Sequence, residues 1–352
     1  MVTARRLKLD RIASSTRNAG LEREVVVGPT IVCREGYVLA VRIRGHKSVY
    51  NQVEDVHGRM VPLRDGDVLA GVLGSRRALR GYAGEVPDTL AVGDVVHVLN
   101  LGGVLGRCTS VNPDIGAPYE AEVLGAVLDF PAGGDRLGRP AHIRDGAIPA
   151  AEELTLRAPV VFIAGTCMDA GKTVAGTAIV RGLTRSGLRV VGAKLTGVSL
   201  RRDVLAMGDA GAIEGLSFTD CGIVSTRAAE ALPAARGLLN QADHLDPDAV
   251  VAELGDGILG EYGVQHLLAA KDLMAKAAAF VLCAPDPVAA WGGVTLLRER
   301  WGLTPSVVAG PVTDNEVGSR FVRETLGIAA WNARRDADAL AACIKVSLRV
   351  CA

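Results

Sequence analysis

Residues 165–173 read GTCMDAGKT, and the reading of this loop decides the fold. The apolar run APVVFIAG (158–165) leads in, and the helix-like run VAGTAIVRGLTRSG (174–187) leads out. A strand that turns through glycines into a helix presents backbone N–H groups and a helix N-terminus to an anion. The strict phosphate-loop spacing, GxxxxGK[ST], would put its first glycine at 166. That position is Thr166, and the glycine is Gly165, one residue early. The chemistry survives the offset. Gly165, Thr166, Asp169, Ala170, Gly171, Lys172, Thr173 and Val174 form the expected nucleotide-binding loop. Lys172 reaches the terminal phosphates and the Thr173 hydroxyl ligates Mg2+. A bare strand-to-helix turn is the bland alternative. Val174, Ala178, Ile179 and Leu183 give the following helix one apolar face.

Downstream, short apolar runs alternate with amphipathic stretches. Strands are expected at 160–165, 189–194, 221–226, 250–254, 279–285, 306–312 and 327–332. This rhythm predicts an α/β domain over 157–352, a mostly parallel P-loop NTPase sheet with helices on both faces. Ligands of such sheets bind beyond the carboxyl ends of the strands. Upstream the rhythm differs. From Val25 to Phe130 the runs are strand-like and broken by Gly and Asp, with GDV repeated at 66–68 and 93–95. Residues 25–130 are therefore expected to form a small β-rich, barrel-like domain. Residues 1–24 are expected as a loosely docked arm and 131–156 as a linker. The segment RGHKSVYNQ, with Arg44, His46, Lys47 and Tyr50, is the most polar cluster of the β-domain. An anion site and a solvated loop are both open there, the solvated loop being the commoner outcome.

Composition excludes several classes. Of 352 residues, 39 are Lys or Arg and 39 are Asp or Glu, which argues against a nucleic-acid binder or an anionic-membrane binder. Aromatics at 4% leave little for base stacking. No apolar stretch approaches a membrane span, and the first twenty residues lack the apolar core of a signal peptide. Seven cysteines without a CxxC pair fit a reduced, cytoplasmic protein.

The order of motifs resembles dethiobiotin synthetase and its wider P-loop class, which includes cobyrinic acid amide synthases and metal-insertion GTPases. The resemblance rests on GTCMDAGKT, then VVGAKLTGVS (190–199), MGDAGA (207–212), VVAELGDG (250–257) and the closing turn TDN (313–315), and covers about 158–330. It implies Lys172 and Lys194 as the catalytic lysines. It implies Thr173, Asp209 and Glu253 as Mg2+ ligands, with Asp256 an alternative to Glu253. Asp314 and Asn315 fall where the family reads the base, which leaves ATP against GTP open. The implied function is Mg-ATP-dependent phosphorylation of a small-molecule carboxylate in a ligase or kinase reaction, by a homodimer. A nucleotide switch acting on a protein client is the alternative. Nothing comparable to the β-domain precedes the loop in dethiobiotin synthetase, so the acceptor should differ and the β-domain is expected to select it.

Overall fold

A computed structural model describes residues 4–131 and 137–351. The chain divides into two compact units. The first takes residues up to Ala147, together with Val198–Arg201 and Thr219–Ser225. The second takes Ile148–Gly197, Arg202–Phe218 and the chain from Thr226 onward.

The first unit is β-rich and closes on itself. Strand Glu120–Asp129 pairs with Val38–Arg44, which pairs with Val68–Leu73, which pairs with Val104–Val111. Strand Val95–Val98 pairs with both Val104–Val111 and Glu120–Asp129, and so completes a ring of five strands. Closure buries two apolar clusters, one around Val38, Val72 and Val127, the other around Leu39, Leu69 and Val123. Both GDV segments turn as their composition suggests. Gly66 and Gly93 take positive φ, and the next aspartate accepts an N–H three residues back: Asp67 from Arg64, Asp94 from Ala91. The fixed turn feeds each valine straight into a strand.

Residues 1–24 do not stand apart as an arm. Arg5–Lys8 pairs with Glu24–Gly28, and Leu9 and Ala13–Thr16 are buried. The expected linker also begins too early. Arg139–Pro140 pairs with Leu128–Asp129, and Ala141 and Ile143 join the β-unit's core, while 132–136 lie outside the described residues.

The second unit is a seven-stranded parallel sheet in the order Glu214–Ser217, Val190–Thr196, Ala249–Leu254, Val160–Gly165, Ala277–Cys283, Val307–Ala309, Ala329–Ala330. Its helices are α1 (Lys172–Arg185), α2 (Arg202–Asp209), α3 (Ala228–Asp243), α4 (Val264–Ala269), α5 (Lys271–Met274), α6 (Pro287–Trp301), α7 (Glu316–Phe321) and α8 (Ala337–Cys351). This is the expected doubly covered P-loop architecture. Local chemistry sets the helix ends. Asp286 caps α6 by accepting the Ala289 N–H, Pro287 opens its first turn, and Gly302 ends it at positive φ. Helix α1 buries Ala175, Ile179, Val180 and Leu183, whereas Val174 is exposed, so its apolar face is turned from the one the sequence pattern suggested.

One expected strand is absent. Residues 221–226 are buried without a ladder; Val224 packs into the β-unit's core, and the sheet edge is Glu214–Ser217. Burial, not strand pairing, explains that apolar run. No helix among the described residues is long and apolar enough to cross a membrane.

Glycine geometry makes the packing testable. A Cβ on Gly71 would sit 2.6 Å from the Gly103 carbonyl oxygen, which is backbone and cannot swing aside. A Cβ on Gly292, inside α6, would meet nothing within 4 Å. Gly71→Ala should destabilise by about 1–3 kcal/mol, and Gly292→Ala should stabilise by about 0.5–1 kcal/mol. Thermal melting of the two variants should therefore shift in opposite directions.

Candidate functional site: a phosphate loop with a buried carboxylate pair

The loop between strand Val160–Gly165 and α1 is held by close backbone approaches. The Thr166 N–H donates to Cys283 O, and the Ile258 N–H donates to Gly165 O. A Cβ on Gly257 would lie 2.7 Å from Thr166 O, and one on Gly310 would lie 2.2 Å from Ala170 O. The turns after strands Ala249–Leu254 and Val307–Ala309 thus press on the loop, and only glycine fits there. Gly171 and Asp169 carry the positive φ values that fold the loop back, at 93° and 60°.

The offset of the first glycine has a physical reason. The Lys172 side chain folds over Gly165, where a Cβ would be 2.9–3.1 Å from its Nζ, Cδ and Cγ atoms. Gly165 is therefore the residue that makes room for the lysine. Lys172 is 7% exposed and donates to Cys167 O at 2.9 Å. Among the described residues it has no carboxylate within ion-pair distance. A buried cation held only by a carbonyl is costly unless an anion joins it.

Four elements bring the remaining polar groups together. Parallel register sets Lys194 directly beside Glu253 on adjacent strands. Thr173 comes from the first turn of α1 and Asp203 from the first turn of α2. The Thr173 hydroxyl lies 3.0 Å from Asp203 Oδ1 and 3.2 Å from the nearer Glu253 oxygen. It has one proton and can donate to only one of them. Lys194 Nζ forms an ion pair with Asp203. Lys194 and Glu253 are 7% and 3% exposed.

The charges follow from this packing. Burial pushes the Glu253 carboxyl up to about 7, and the nearby Asp203 charge adds to the effect. Burial alone would raise Asp203 too, but the Lys194 ammonium outweighs it and holds Asp203 below its ordinary value. Burial would lower Lys194, and the charges of Asp203 and Glu253 outweigh that and raise it.

Thr173 and Glu253 thus meet as the sequence suggested, and Glu253, not Asp256, faces the threonine. Asp209 does not meet them. It is exposed at the far end of α2, six residues and about 9 Å of helix axis beyond Asp203. Asp203, which the sequence reading did not single out, is the aspartate that lies beside Thr173 and Lys194. The rule that sites lie at strand carboxyl ends was a usable signal, because the first turn of the helix that follows Lys194 lies at that edge and its last turn does not.

Asp314 and Asn315 lie just beyond strand Val307–Ala309, after Gly310, which touches the phosphate loop. Asn315 caps α7 by accepting the Gly318 N–H. Asp314 accepts from Asn332 Nδ2 at 2.8 Å. An all-oxygen set of Thr173, Asp203 and Glu253 suits a hard cation. No group of three or more His, Cys, Asp or Glu among the described residues could hold a metal. A Mg2+ ion here would depend on phosphate oxygens and water for its other positions.

No family profile matches the chain, and no curated protein does. Solved structures similar to it include chloroplast FtsY from Physcomitrella patens, at TM-score 0.37 and 14% identity, covering 55% of this chain and 69% of that one. A DUF1611 family protein from Anabaena variabilis is similar at TM-score 0.40 and 16% identity, covering 63% and 70%. Cell division protein FtsY from Thermotoga maritima is similar at TM-score 0.37 and 14% identity, covering 58% and 72%. Likenesses at this level carry no information on substrate or partner.

The Glu253 shift sets a pH dependence. Its folded pKa, about 7, lies above its ordinary value of 4.5. Between these values the folded chain binds more protons than the unfolded one, so stability falls as pH rises through that window. The contribution is present in full below 4.5 and is lost above 7. Asp203, lowered from 3.8, and Lys194, raised from 10.5, titrate outside the window. Urea unfolding in chelator at about pH 5.5 and about pH 8 should show the wild type losing stability with pH. Glu253→Gln should flatten that slope.

Proposed function

We propose that the second unit is a Mg2+-dependent nucleoside triphosphatase of the switch type, which passes the γ-phosphoryl group to water. The observation that carries this reading is Lys172, a buried cation at a strand-to-helix phosphate loop whose one bond goes to a loop carbonyl. In this reading, the loop's N–H groups and Lys172 hold the triphosphate and offset its charge. Thr173, Asp203 and Glu253 would hold the metal, which when bound neutralises charge developing on the terminal phosphate. Lys194 fixes Asp203 in place. Glu253 is partly protonated near neutral pH and would give up that proton on binding a cation.

Lys194 favours hydrolysis over transfer to a carboxylate acceptor. An acceptor would need an open cation, and the Lys194 ammonium is buried and already paired with Asp203. Phosphorylation of a small-molecule carboxylate, as in the dethiobiotin synthetase-like reading, is the second possibility. It is supported by the position of Lys194 at the carboxyl end of its strand. For the base we favour guanine over adenine. The Asp314 carboxylate, fixed by Asn332, is an acceptor that suits guanine's adjacent N–H donors. Among the described residues no disulfide joins Cys33, Cys108, Cys167, Cys221, Cys283 or Cys343, which fits our assignment to the cytoplasm.

Steady-state phosphate release with GTP and with ATP, and no acceptor added, tests the proposal. GTP should turn over faster, and Asp314→Ala should narrow the difference. Lys172→Ala should cut turnover by roughly 100-fold or more, and should weaken triphosphate binding more than diphosphate binding. Turnover that appears only when a small carboxylic acid is added would transfer the assignment to the second reading.

The two aspartates of α2 make a separate test. Asp203→Asn should raise the Mg2+ concentration needed for half-maximal turnover, and Asp209→Asn should leave it unchanged. The opposite pattern would exclude the Thr173–Asp203–Glu253 arrangement as the metal position.

A further inference from the structure

The β-unit holds two cations that its own acids do not neutralise. Arg76, just after strand Val68–Leu73, is 5% exposed. Lys47 lies in the loop after strand Val38–Arg44 and is half-buried. Among the described residues neither has an ion-pair partner. The two cations bracket a pair of tyrosines. The Tyr50 and Tyr82 rings meet edge to face with centroids 5.4 Å apart. The Arg76 guanidinium lies 5.7 Å from the Tyr50 centroid, and Lys47 Nζ lies 6.0 Å from that of Tyr82.

The hydrogen bonds show which edge is in use. Arg76 Nη1 donates to the Tyr50 hydroxyl at 2.8 Å and to Leu99 O. Arg76 Nε is buried and has no partner. Nε and Nη2 form the side of a guanidinium that grips a carboxylate with two parallel bonds. That side is the one Nη1 leaves unused. Lys47 donates to Ile115 O at 3.0 Å and to Ala117 O, which leaves one of its three N–H groups. The Tyr50 hydroxyl accepts from Arg76 and retains its own proton to donate.

A trapped water could satisfy Nε, but it could not offset the charge. Nor can the phenol of Tyr82, whose pKa burial pushes up to about 12, so that it stays neutral. Burial also lowers the pKa of Lys47, as expected of an ammonium without a counter-ion. The backbone adds to the case. Tyr50 sits at φ 55°, an unfavourable conformation for a bulky residue, and in it reaches Arg76.

We propose that Arg76, Tyr50 and Lys47 form a binding site for the carboxylate of a small molecule. The Nε/Nη2 edge of Arg76 takes both carboxylate oxygens, and the Tyr50 hydroxyl and Lys47 supply the remaining donors. Tyr50 is partly exposed, and its ring offers a surface to the body of the ligand. This site is distinct from the phosphate loop and stands whether or not the nucleotide reading holds.

Calorimetric titration of the full chain with glutarate and with acetate tests it, alongside inorganic phosphate in a Lys172→Ala background that disables the phosphate loop. Glutarate should bind, and its affinity should be unchanged by Lys172→Ala. Arg76→Met should weaken it roughly 10- to 100-fold, the range for hydrogen bonds to a charged group. Tyr50→Phe keeps the ring and removes only the hydroxyl. It should weaken binding about 5- to 10-fold, and it keeps the test decisive if Arg76→Met fails to fold. No binding of either carboxylate to the wild type overturns the proposal. So does binding that Lys172→Ala abolishes or Tyr50→Phe leaves intact. Phosphate binding without carboxylate binding overturns the assignment of a carboxylate.

Discussion

Parallel register is the constraint on which the candidate site depends. In-register partners on adjacent parallel strands point to the same face, so pairing Lys194 with Glu253 fixes a lysine and a glutamate side by side at the sheet's carboxyl edge. Neither could stay ionised there alone at small cost. Asp203 enters from α2 and takes up the lysine's charge, which leaves Glu253 with a raised pKa and the Thr173 hydroxyl as a neighbour. The cluster thus holds one compensated pair and one carboxyl that needs either a proton or a cation.

Close backbone contact makes the loop above that cluster rigid. Gly165 leaves space for Lys172, Gly257 lets one turn reach Thr166, and Gly310 lets another reach Ala170. The last two contacts are with backbone and are closer than any side chain would allow. Two segments outside the loop must therefore be in place for it to have its shape. Both follow strands of the parallel sheet, so the order of the sheet is what pre-forms the loop.

Much of this was legible in the sequence, and the failures share a cause. The loop, Lys172, Thr173, Lys194 and Glu253 could be read because each sits at a fixed offset from an apolar strand, and strands announce themselves by composition. The alternation of strand and helix gave the parallel sheet, and the GDV turns gave the β-unit. The resemblance points to Asp209 through its motif, MGDAGA, and not to Asp203; helix direction decides which end of α2 faces the sheet edge. Residues 221–226 read as a strand because burial and strand pairing leave the same apolar signature. Composition does not reveal the pairings of residues 1–24 and 139–140, because short strands such as Arg5–Lys8 and Arg139–Pro140 depend on partners elsewhere in the chain.

A balanced net charge conceals the most informative groups in this chain. Equal numbers of acids and bases suggest a surface with no strong preference for anions. It says nothing about burial. The cost of an unpaired charge grows steeply as water is removed, so a few buried cations weigh more than many exposed ones. Exposed pairs such as Arg107–Glu85 and Arg157–Asp243 contribute to the tally but little to stability. Lys172 in one unit and Arg76 in the other are cations removed from water without an acid beside them, and Lys47, half-buried, adds a third close to Tyr82. One criterion, a buried base without its acid, therefore selects both the phosphate loop, which a sequence pattern also marks, and the tyrosine-flanked arginine, which no pattern marks. The first agreement is what gives the second its weight.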